Sequence, residues 1–159
     1  MKGGQRTSPM KTLSNASDRQ EVLNRLANVH PESQRRWGNM SGHQMICHLS
    51  DSFRAALGEK QLSPASTLFK RTLFKWIALW MPLRWPHGVQ TRPEMDQRKG
   101  GTPPEEFALD SEKLRVLFDR FVSWPGQYAP HPILGPLSRT ERMRHAYLHM
   151  DHHLRQFGA

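Results

Sequence analysis

Apolar residues recur at helical spacing along most of this chain, in segments that prolines and glycines separate. The second segment is typical, because Met45, Ile46, Leu49 and Phe53 fall on one side of a helix. No alternating strand pattern and no internal repeat interrupts this periodicity. The sequence therefore predicts an all-α fold, a bundle of four long helices with a shorter N-terminal helix and long ordered loops.

The expected helix limits follow from capping residues and from helix breakers. We expect helices over about 18–29, 41–57, 65–81, 103–122 and from 138 to near the C-terminus. Four of them have a predicted N-cap whose side chain can accept a first-turn hydrogen bond, namely Asp18, Ser41, Thr102 and Ser138. Gln44 and Glu141 lie three residues after the two serines, which is the capping-box pattern.

The third predicted helix is rich in large apolar residues at helical spacing, namely Leu68, Phe69, Leu73, Trp76, Ile77, Trp80 and Met81. We interpret this stripe as core packing. The alternative is a helix lying on a membrane, with Lys70, Arg71 and Lys75 directed toward lipid headgroups. The longest apolar run, residues 76–83, is far short of the roughly 20 residues that span a bilayer, so no transmembrane helix is expected.

The length of 159 residues suits one domain, which we place at 10–159 after a disordered leader at 1–9. The polar leader has no apolar core of the kind found in secretory signals, and Met10 is an alternative start. The one cysteine, Cys47, cannot form an internal disulfide, which favours a reducing cytoplasmic setting.

The chain is strongly basic, with 23 Lys and Arg against 14 Asp and Glu. Such a charge could attract nucleic acid, anionic lipid or an anionic small molecule. The basic residues are scattered, and no nucleic-acid-binding motif accompanies them. A solvated surface explains the charge equally well, so nucleic acid is an unlikely partner.

Histidines concentrate in the last predicted helix. His149 and His153 are one turn apart, a spacing at which two imidazoles can share a metal ion. His152 falls almost opposite the apolar stripe of this helix, toward solvent, and is the weaker alternative ligand. The predicted stripe consists of Met143, Tyr147, Met150 and Leu154. A third ligand is predicted at His48, on the edge of the second helix beside the small Ser52. A histidine-rich solvated end would show the same spacing.

At these residues the chain resembles a known group of proteins. The C-terminal HMDHHLRQ resembles the HxxHHxxQ signature of the DinB/YfiT-like superfamily, and MSGHQMICHLSD is similar to its first-histidine helix. The stretches RRWGNMSGHQMICHLSDSF, DQRKGGTPPEEF, HPILGPLS and YLHMDHHLRQFG together resemble its DUF1569 branch over about 10–158. The resemblance implies a DinB-like four-helix bundle with a divalent metal on His48, His149 and His153.

Relatives in that superfamily include metal-dependent thiol S-transferases, a mycothiol-using maleylpyruvate isomerase and predicted hydrolases, whereas the DUF1569 branch supplies no activity. We therefore expect a metal-dependent enzyme that activates water or a low-molecular-weight thiol against a small-molecule substrate. Zinc or nickel suits three imidazoles, and iron is also compatible. Gln156 and Asp51, each one turn from a predicted ligand, could orient a ligand or substrate, although each could equally be a surface residue.

Other features of the chain allow more than one interpretation. Arg142, Arg144 and Arg155 near the predicted site suit a carboxylate-bearing substrate, but solvated arginines are commoner. His131 could line the pocket or stabilise a turn. Two non-enzymatic alternatives are a basic helical module that binds nucleic acid or anionic lipid, and a structural bundle with a vestigial metal site. A homodimer is compatible with each. Metal content and the effect of replacing each histidine would separate them.

Overall fold

The computed structural model describes residues 10–63 and 71–159. The predicted leader and the start of the predicted third helix, including Leu68, Phe69 and Lys70, lie outside these ranges. Within them the chain is all-α, as predicted, with a single isolated bridge between His131 and Gly135 in place of any strand. The helices are α1 (Ala16–Leu26), α2 (Gly42–Ala56), α3 (Arg71–Trp80), α4 (Phe107–Ser123) and α5 (Arg139–Gln156), with a short 3-10 turn at Pro93–Met95.

Both predicted capping boxes are confirmed. The backbone N–H of Ser41 donates to Gln44 Oε1 at 2.9 Å at the start of α2. The backbone N–H of Ser138 donates to Glu141 Oε2 at 2.8 Å at the start of α5. Beyond the end of α2, Gly58 has a φ of +82°, a conformation that favours glycine. Local chemistry therefore sets where the two histidine-bearing helices begin and where α2 ends.

The predicted N-cap of α1 is wrong. The helix starts at Ala16, and Asn15 Oδ1 accepts the N–H of Ser17 at 2.9 Å. Asp18 lies in the first turn, where its carboxylate accepts the N–H of Thr12 at 2.9 Å. Asn and Asp are equally good N-caps, so the preference alone could not choose between these residues.

The predicted start of α4 is also wrong, because the helix begins at Phe107 and its N-cap is Glu106. Pro103 and Pro104 each push the preceding residue toward extended backbone, so the turn before Glu105 cannot become helical. Thr102, predicted to cap the helix, donates instead from its N–H and its hydroxyl to the Asp51 carboxylate, at 2.8 and 2.6 Å. These bonds join the 82–106 loop to α2.

The main core lies between four helices, with α2 packed on α4 and α1 packed on α5. Its largest fully buried members in these helices are Val22, Met45, Ile46, Leu49, Leu114, Phe118, Phe121, Met143, Met150 and Leu154. The apolar stripe predicted for α5 is confirmed, since Met143, Tyr147, Met150 and Leu154 are all buried. The described part of α3 adds nothing to this cluster.

The interpretation of α3 as a core helix is wrong for its described residues. Leu73 is 68% exposed, Trp76 is 54% exposed and Ile77 is 39% exposed, whereas Leu79 is fully buried. The main packing partner of α3 is α5, and Lys75 of α3 pairs with Glu141 of α5 at 2.9 Å. Periodicity predicts that a helix has an apolar face, but not what covers that face. In the ranges described, no helix is both long and apolar enough to cross a bilayer.

Candidate metal centre

Three histidine side chains meet between α2 and α5. His48 lies in the middle of α2, and His149 and His153 lie one turn apart near the end of α5. The Nε2 atom of His149 is 3.1 Å from Nε2 of His48 and 3.2 Å from Nε2 of His153. The structure thus brings together the three residues that the sequence predicted as a group, one that could hold a metal ion.

Each ring uses its other nitrogen, Nδ1, to contact the protein. His48 Nδ1 lies 3.0 Å from the backbone carbonyl oxygen of Met95, in the 3-10 turn. His153 Nδ1 lies 3.0 Å from Gln156 Oε1, and His149 Nδ1 lies 3.2 Å from the Ser52 hydroxyl. A carbonyl oxygen only accepts, so Nδ1 of His48 and of His153 must carry the proton. Their Nε2 atoms then present bare lone pairs to the cluster.

The orientation of Gln156 follows from a second hydrogen bond. Its Nε2 donates to the backbone carbonyl of Trp37 at 2.9 Å, which directs Oε1 toward His153. The backbone comes very close at Gly38, where an added Cβ would lie 2.7 Å from Gln156 Nε2 and where φ is +74°. Glycine is therefore favoured at this position, and the turn of residues 37–39 fixes the tautomer of a ring on α5.

Burial keeps the three rings neutral. Desolvation lowers the pKa of His48, and it lowers the pKa values of His149 and His153 well below their usual range. The proximity of the rings adds to this effect, because a charge on His153 or His48 would further disfavour protonation of His149. Neutral imidazole is the form that coordinates a metal.

The donor set fits a divalent cation. Tetrahedral ligands about 2.0–2.1 Å from zinc are roughly 3.3 Å apart, close to the separations observed between these Nε2 atoms. A proton on Nε2 of His149 could satisfy only one of the two bare lone pairs that it faces. A cation between the rings would accept the Nε2 lone pairs of all three histidines. Outer hydrogen bonds on ligating histidines are also a regular feature of metal sites.

Three other residues of α2, Asp51, His43 and Cys47, lie away from this cluster. The Asp51 carboxylate does not contact His48 and instead holds Thr102, as described above. His43 lies 2.8 Å from Asp110 on the α4 side of α2. Cys47 is buried beside the same carboxylate, and burial raises the pKa of its thiol to about 12, so it is a core residue.

The expectation that His152 points toward solvent is wrong. Its ring is half-buried, with its centroid 5.8 Å from that of Trp37 and 6.2 Å from that of Trp85. It is not one of the three clustered histidines. The 82–106 loop and the turn at Trp37 cover a helix face that would otherwise meet solvent, and helical periodicity carries no information about such loops.

A large cavity adjoins the cluster. Its volume is about 1100 Å³, and it is lined by all three clustered histidines and by His152 and Gln156. By surface area the lining is mainly apolar or aromatic, including Phe74, Ile77, Leu83, Trp85, Val89, Ile133 and Leu134. Charged residues also line it, namely Lys60, Arg84, Arg92, Asp96, Arg98, Lys99 and Arg142. A mainly apolar surface with polar groups placed around it is typical of small-molecule sites.

Several residues of the site were not found from the sequence. Met95 contributes its backbone carbonyl, which leaves no residue-type signal. Ser52 is one turn from His48 and His145 is one turn before His149, so helical spacing could have identified both. His131 fulfils both of its expected roles, because it lines the cavity and its Nδ1 accepts the N–H groups of Ile133 and Leu134.

A family model matches nearly the whole chain, residues 9–159. Its description is "Protein of unknown function (DUF1569)". No curated protein and no solved structure matches the chain significantly. The matched range includes the three clustered histidines and every residue named here as lining the cavity.

Proposed function

The chain belongs to the DUF1569 family, and we propose that it is a metal-dependent enzyme of the DinB/YfiT-like type. In this proposal His48, His149 and His153 hold one divalent metal, and the adjoining cavity receives a small-molecule substrate. The reaction is hydrolysis or the transfer of a low-molecular-weight thiol.

The proposal extends to the fold. We propose that residues 10–159 form a single domain, a DinB-like four-helix bundle built from α1, α2, α4 and α5. The shared core of these four helices supports it. The bundle then differs from the sequence expectation in its members, since α1 takes the place that we expected α3 to occupy.

The convergence of three Nε2 atoms beside the cavity is the observation that carries the proposal. Two of these atoms are bare because their rings donate Nδ1–H to fixed carbonyl oxygens. Holding lone pairs this close without a cation is unfavourable, and a protein that used these rings only for packing would have no need to do so. The arrangement is understandable as a preformed ligand set.

The chain's own residues would supply orientation and shielding. Met95, Ser52 and Gln156 fix the three rings, and the apolar lining of the cavity excludes water from the reacting groups. A divalent cation bound here would supply Lewis acidity, which activates water or a thiol toward an electrophilic substrate at neutral pH. Three neutral nitrogen ligands suit zinc or nickel, and ferrous iron is also compatible.

Metal analysis of protein purified without an affinity tag tests the ligand set. We expect about one divalent metal per chain in the unmodified protein, as for three-histidine sites with an open position. His48→Ala, His149→Ala and His153→Ala should each weaken metal binding by at least about tenfold. His152→Ala is the matched control, because this histidine lies on the same helix and lines the same cavity but is outside the cluster.

Two results would contradict the proposal. Metal that persists in all three alanine variants would show that the ligands are elsewhere. Protein that takes up no divalent metal even after incubation with zinc, nickel or iron would leave a histidine cluster with a structural role. If metal binds as expected, products formed from activated esters with and without added thiols distinguish hydrolysis from thiol transfer.

A further inference from the structure

Arg142 is one of several charged residues that line the cavity, and with His145 and His149 it also lines a small adjoining space. It lies on α5, seven residues before His149, which is about 10 Å along a helix axis. Its side chain is 4% exposed, so a guanidinium is almost fully removed from water. Burial of that kind is costly unless an anion or several acceptors compensate the charge.

The compensation available to Arg142 within the protein is incomplete. One of its terminal nitrogens donates to the backbone carbonyl of Ala129, and its guanidinium lies 5.9 Å from the centre of the Tyr128 ring. Its Nε is buried and has no hydrogen-bond partner among the residues that the structure describes. No carboxylate of the described residues forms an ion pair with it, and residues 1–9 and 64–70 contain no Asp or Glu.

The other two arginines singled out from the sequence are accounted for. Arg155 pairs with Asp151 at 2.9 Å. Arg144 donates to the backbone carbonyls of Leu79 and Lys11, so it holds α3 and the N-terminal segment against α5. Neither residue lines the cavity. Of these three arginines, only Arg142 lines the cavity, and its buried Nε has no acceptor among the described residues.

The position of Arg142 in its helix strengthens this point. It is the fourth residue of α5, where the helix dipole disfavours a cation. The nearby rings do not offset the charge, since burial and the field of Arg142 both lower the pKa values of His131 and His145. A positive charge is therefore maintained at an unfavourable place, beside neutral imidazoles and near a second arginine, Arg92, that also lowers the pKa of His131.

We propose that Arg142 binds a carboxylate of the small molecule that occupies the cavity, next to the three-histidine cluster. This inference rests on the proposed function and adds the chemical class of its ligand. The apolar and aromatic lining, including Trp85 and Leu134, indicates that the carboxylate belongs to a molecule with an apolar body. Arg142, His145 and His149 also line an adjoining cavity of about 10 Å³, so the anion site and the metal site share a wall.

Binding of benzoate and of its uncharged analogue benzamide tests the proposal, measured by calorimetry on zinc-loaded and on chelator-treated protein. We expect benzoate to bind more tightly than benzamide in both forms. Arg142→Met should reduce benzoate affinity by about tenfold or more, because a charge-assisted hydrogen bond is lost, and should leave benzamide affinity and metal content unchanged. Arg98→Met is the matched control, since Arg98 lines the cavity but is exposed and paired with Asp96.

Arg142→Lys decides the matter if the methionine variant does not fold. Lysine keeps the charge but loses the planar fork, so it should bind benzoate with intermediate affinity. Equal benzoate affinity in the unmodified protein and in every Arg142 variant that folds would overturn the inference, as would unmodified protein that does not bind benzoate more tightly than benzamide. If the preference for benzoate over benzamide disappears in His48→Ala but persists in Arg142→Met, the carboxylate binds the metal. In that case the proposed function would stand and the role of Arg142 would not.

Discussion

The three clustered histidines divide their ring nitrogens between two tasks. Nδ1 contacts the protein, and Nε2 faces the neighbouring rings. The partners of Nδ1 come from separate elements, since Met95 lies in a loop, Ser52 on α2 and Gln156 at the end of α5. Ring orientation is therefore a property of the folded chain as a whole, although each contact is a single hydrogen bond.

Gln156 allows this orientation to be tested one residue at a time. Gln156→Met has a side chain of similar length that cannot accept from His153 Nδ1, so the ring loses its preferred tautomer. We expect metal affinity to fall by about 10- to 100-fold, as for other outer partners of ligating histidines. Competition with a chromophoric chelator measures the change.

The matching control is Gln97→Met, because Gln97 is also a buried glutamine that lines the cavity, but its amide lies 3.4 Å from Asp51. Equal metal affinity in the Gln156 variant and the unmodified protein would show that Gln156 does not orient the cluster.

Helical spacing predicted that His48, His149 and His153 could meet, although a histidine-rich solvated end would show the same spacing. Each lies at the edge of an apolar stripe, and the stripes determine which faces of α2 and α5 approach each other. The meeting of the rings is confirmed, and a bound metal stays a prediction. The Met95 carbonyl could not be predicted, because any residue at that place in the loop would supply the same atom.

The starts of helices with a clear capping pattern were predicted correctly, and the starts of helices with an ambiguous capping pattern were not. The capping boxes place the starts of α2 and α5 correctly, because they satisfy orphan amides within four residues of chain. The start of α4 depends on the local effect of Pro103 and Pro104 and also on the hydrogen bonds between Thr102 and Asp51, which are 51 residues apart in sequence. Such long-range competition is invisible to a local pattern.

The exposed face of α3 gives a direct test of its packing. Leu79 is fully buried, so Leu79→Ala should lower the free energy of unfolding by about 2–5 kcal/mol. Leu73→Ala makes the same change at a residue that is 68% exposed, and should alter the free energy of unfolding by no more than about 0.5 kcal/mol. Urea denaturation of both variants measures the difference. A large loss in the Leu73 variant would show that another surface covers this face in solution.

At the scale of the whole molecule, a strongly basic chain encloses a cavity lined by neutral imidazoles. The formal net charge is +9, yet six histidines line this cavity, namely His48, His131, His145, His149, His152 and His153. Burial lowers the pKa of each of them. Composition predicted the charge of the chain, but only the folded topology determines which histidines share one enclosed space.

These shifts make the metal-free fold sensitive to acid. A histidine in the unfolded chain takes up a proton near pH 6.5, whereas folded His131 has a pKa lowered to about 3 by burial. Between these values the unfolded state binds more protons, so stability is complete above about pH 6.5 and is lost as the pH falls. Each such histidine should lower the free energy of unfolding by about 1.4 kcal/mol per pH unit across its window.

His131→Asn tests this expectation, because asparagine can accept the same turn N–H groups and does not titrate. We expect the slope of unfolding free energy against pH, between about pH 6 and 4, to decrease by the contribution of one proton. Denaturant unfolding of chelator-treated protein at several pH values measures it. Identical slopes in the variant and the unmodified chain would contradict a buried neutral His131.

The burial of Cys47 has a practical consequence for assays of this protein. It is the chain's sole thiol, 3% exposed, and burial raises its pKa to about 12, so almost none of it is thiolate at neutral pH. Alkylating reagents and disulfides should therefore leave the folded protein unmodified. Consumption of an electrophile faster than with the added thiol alone then contains no contribution from labelling of Cys47.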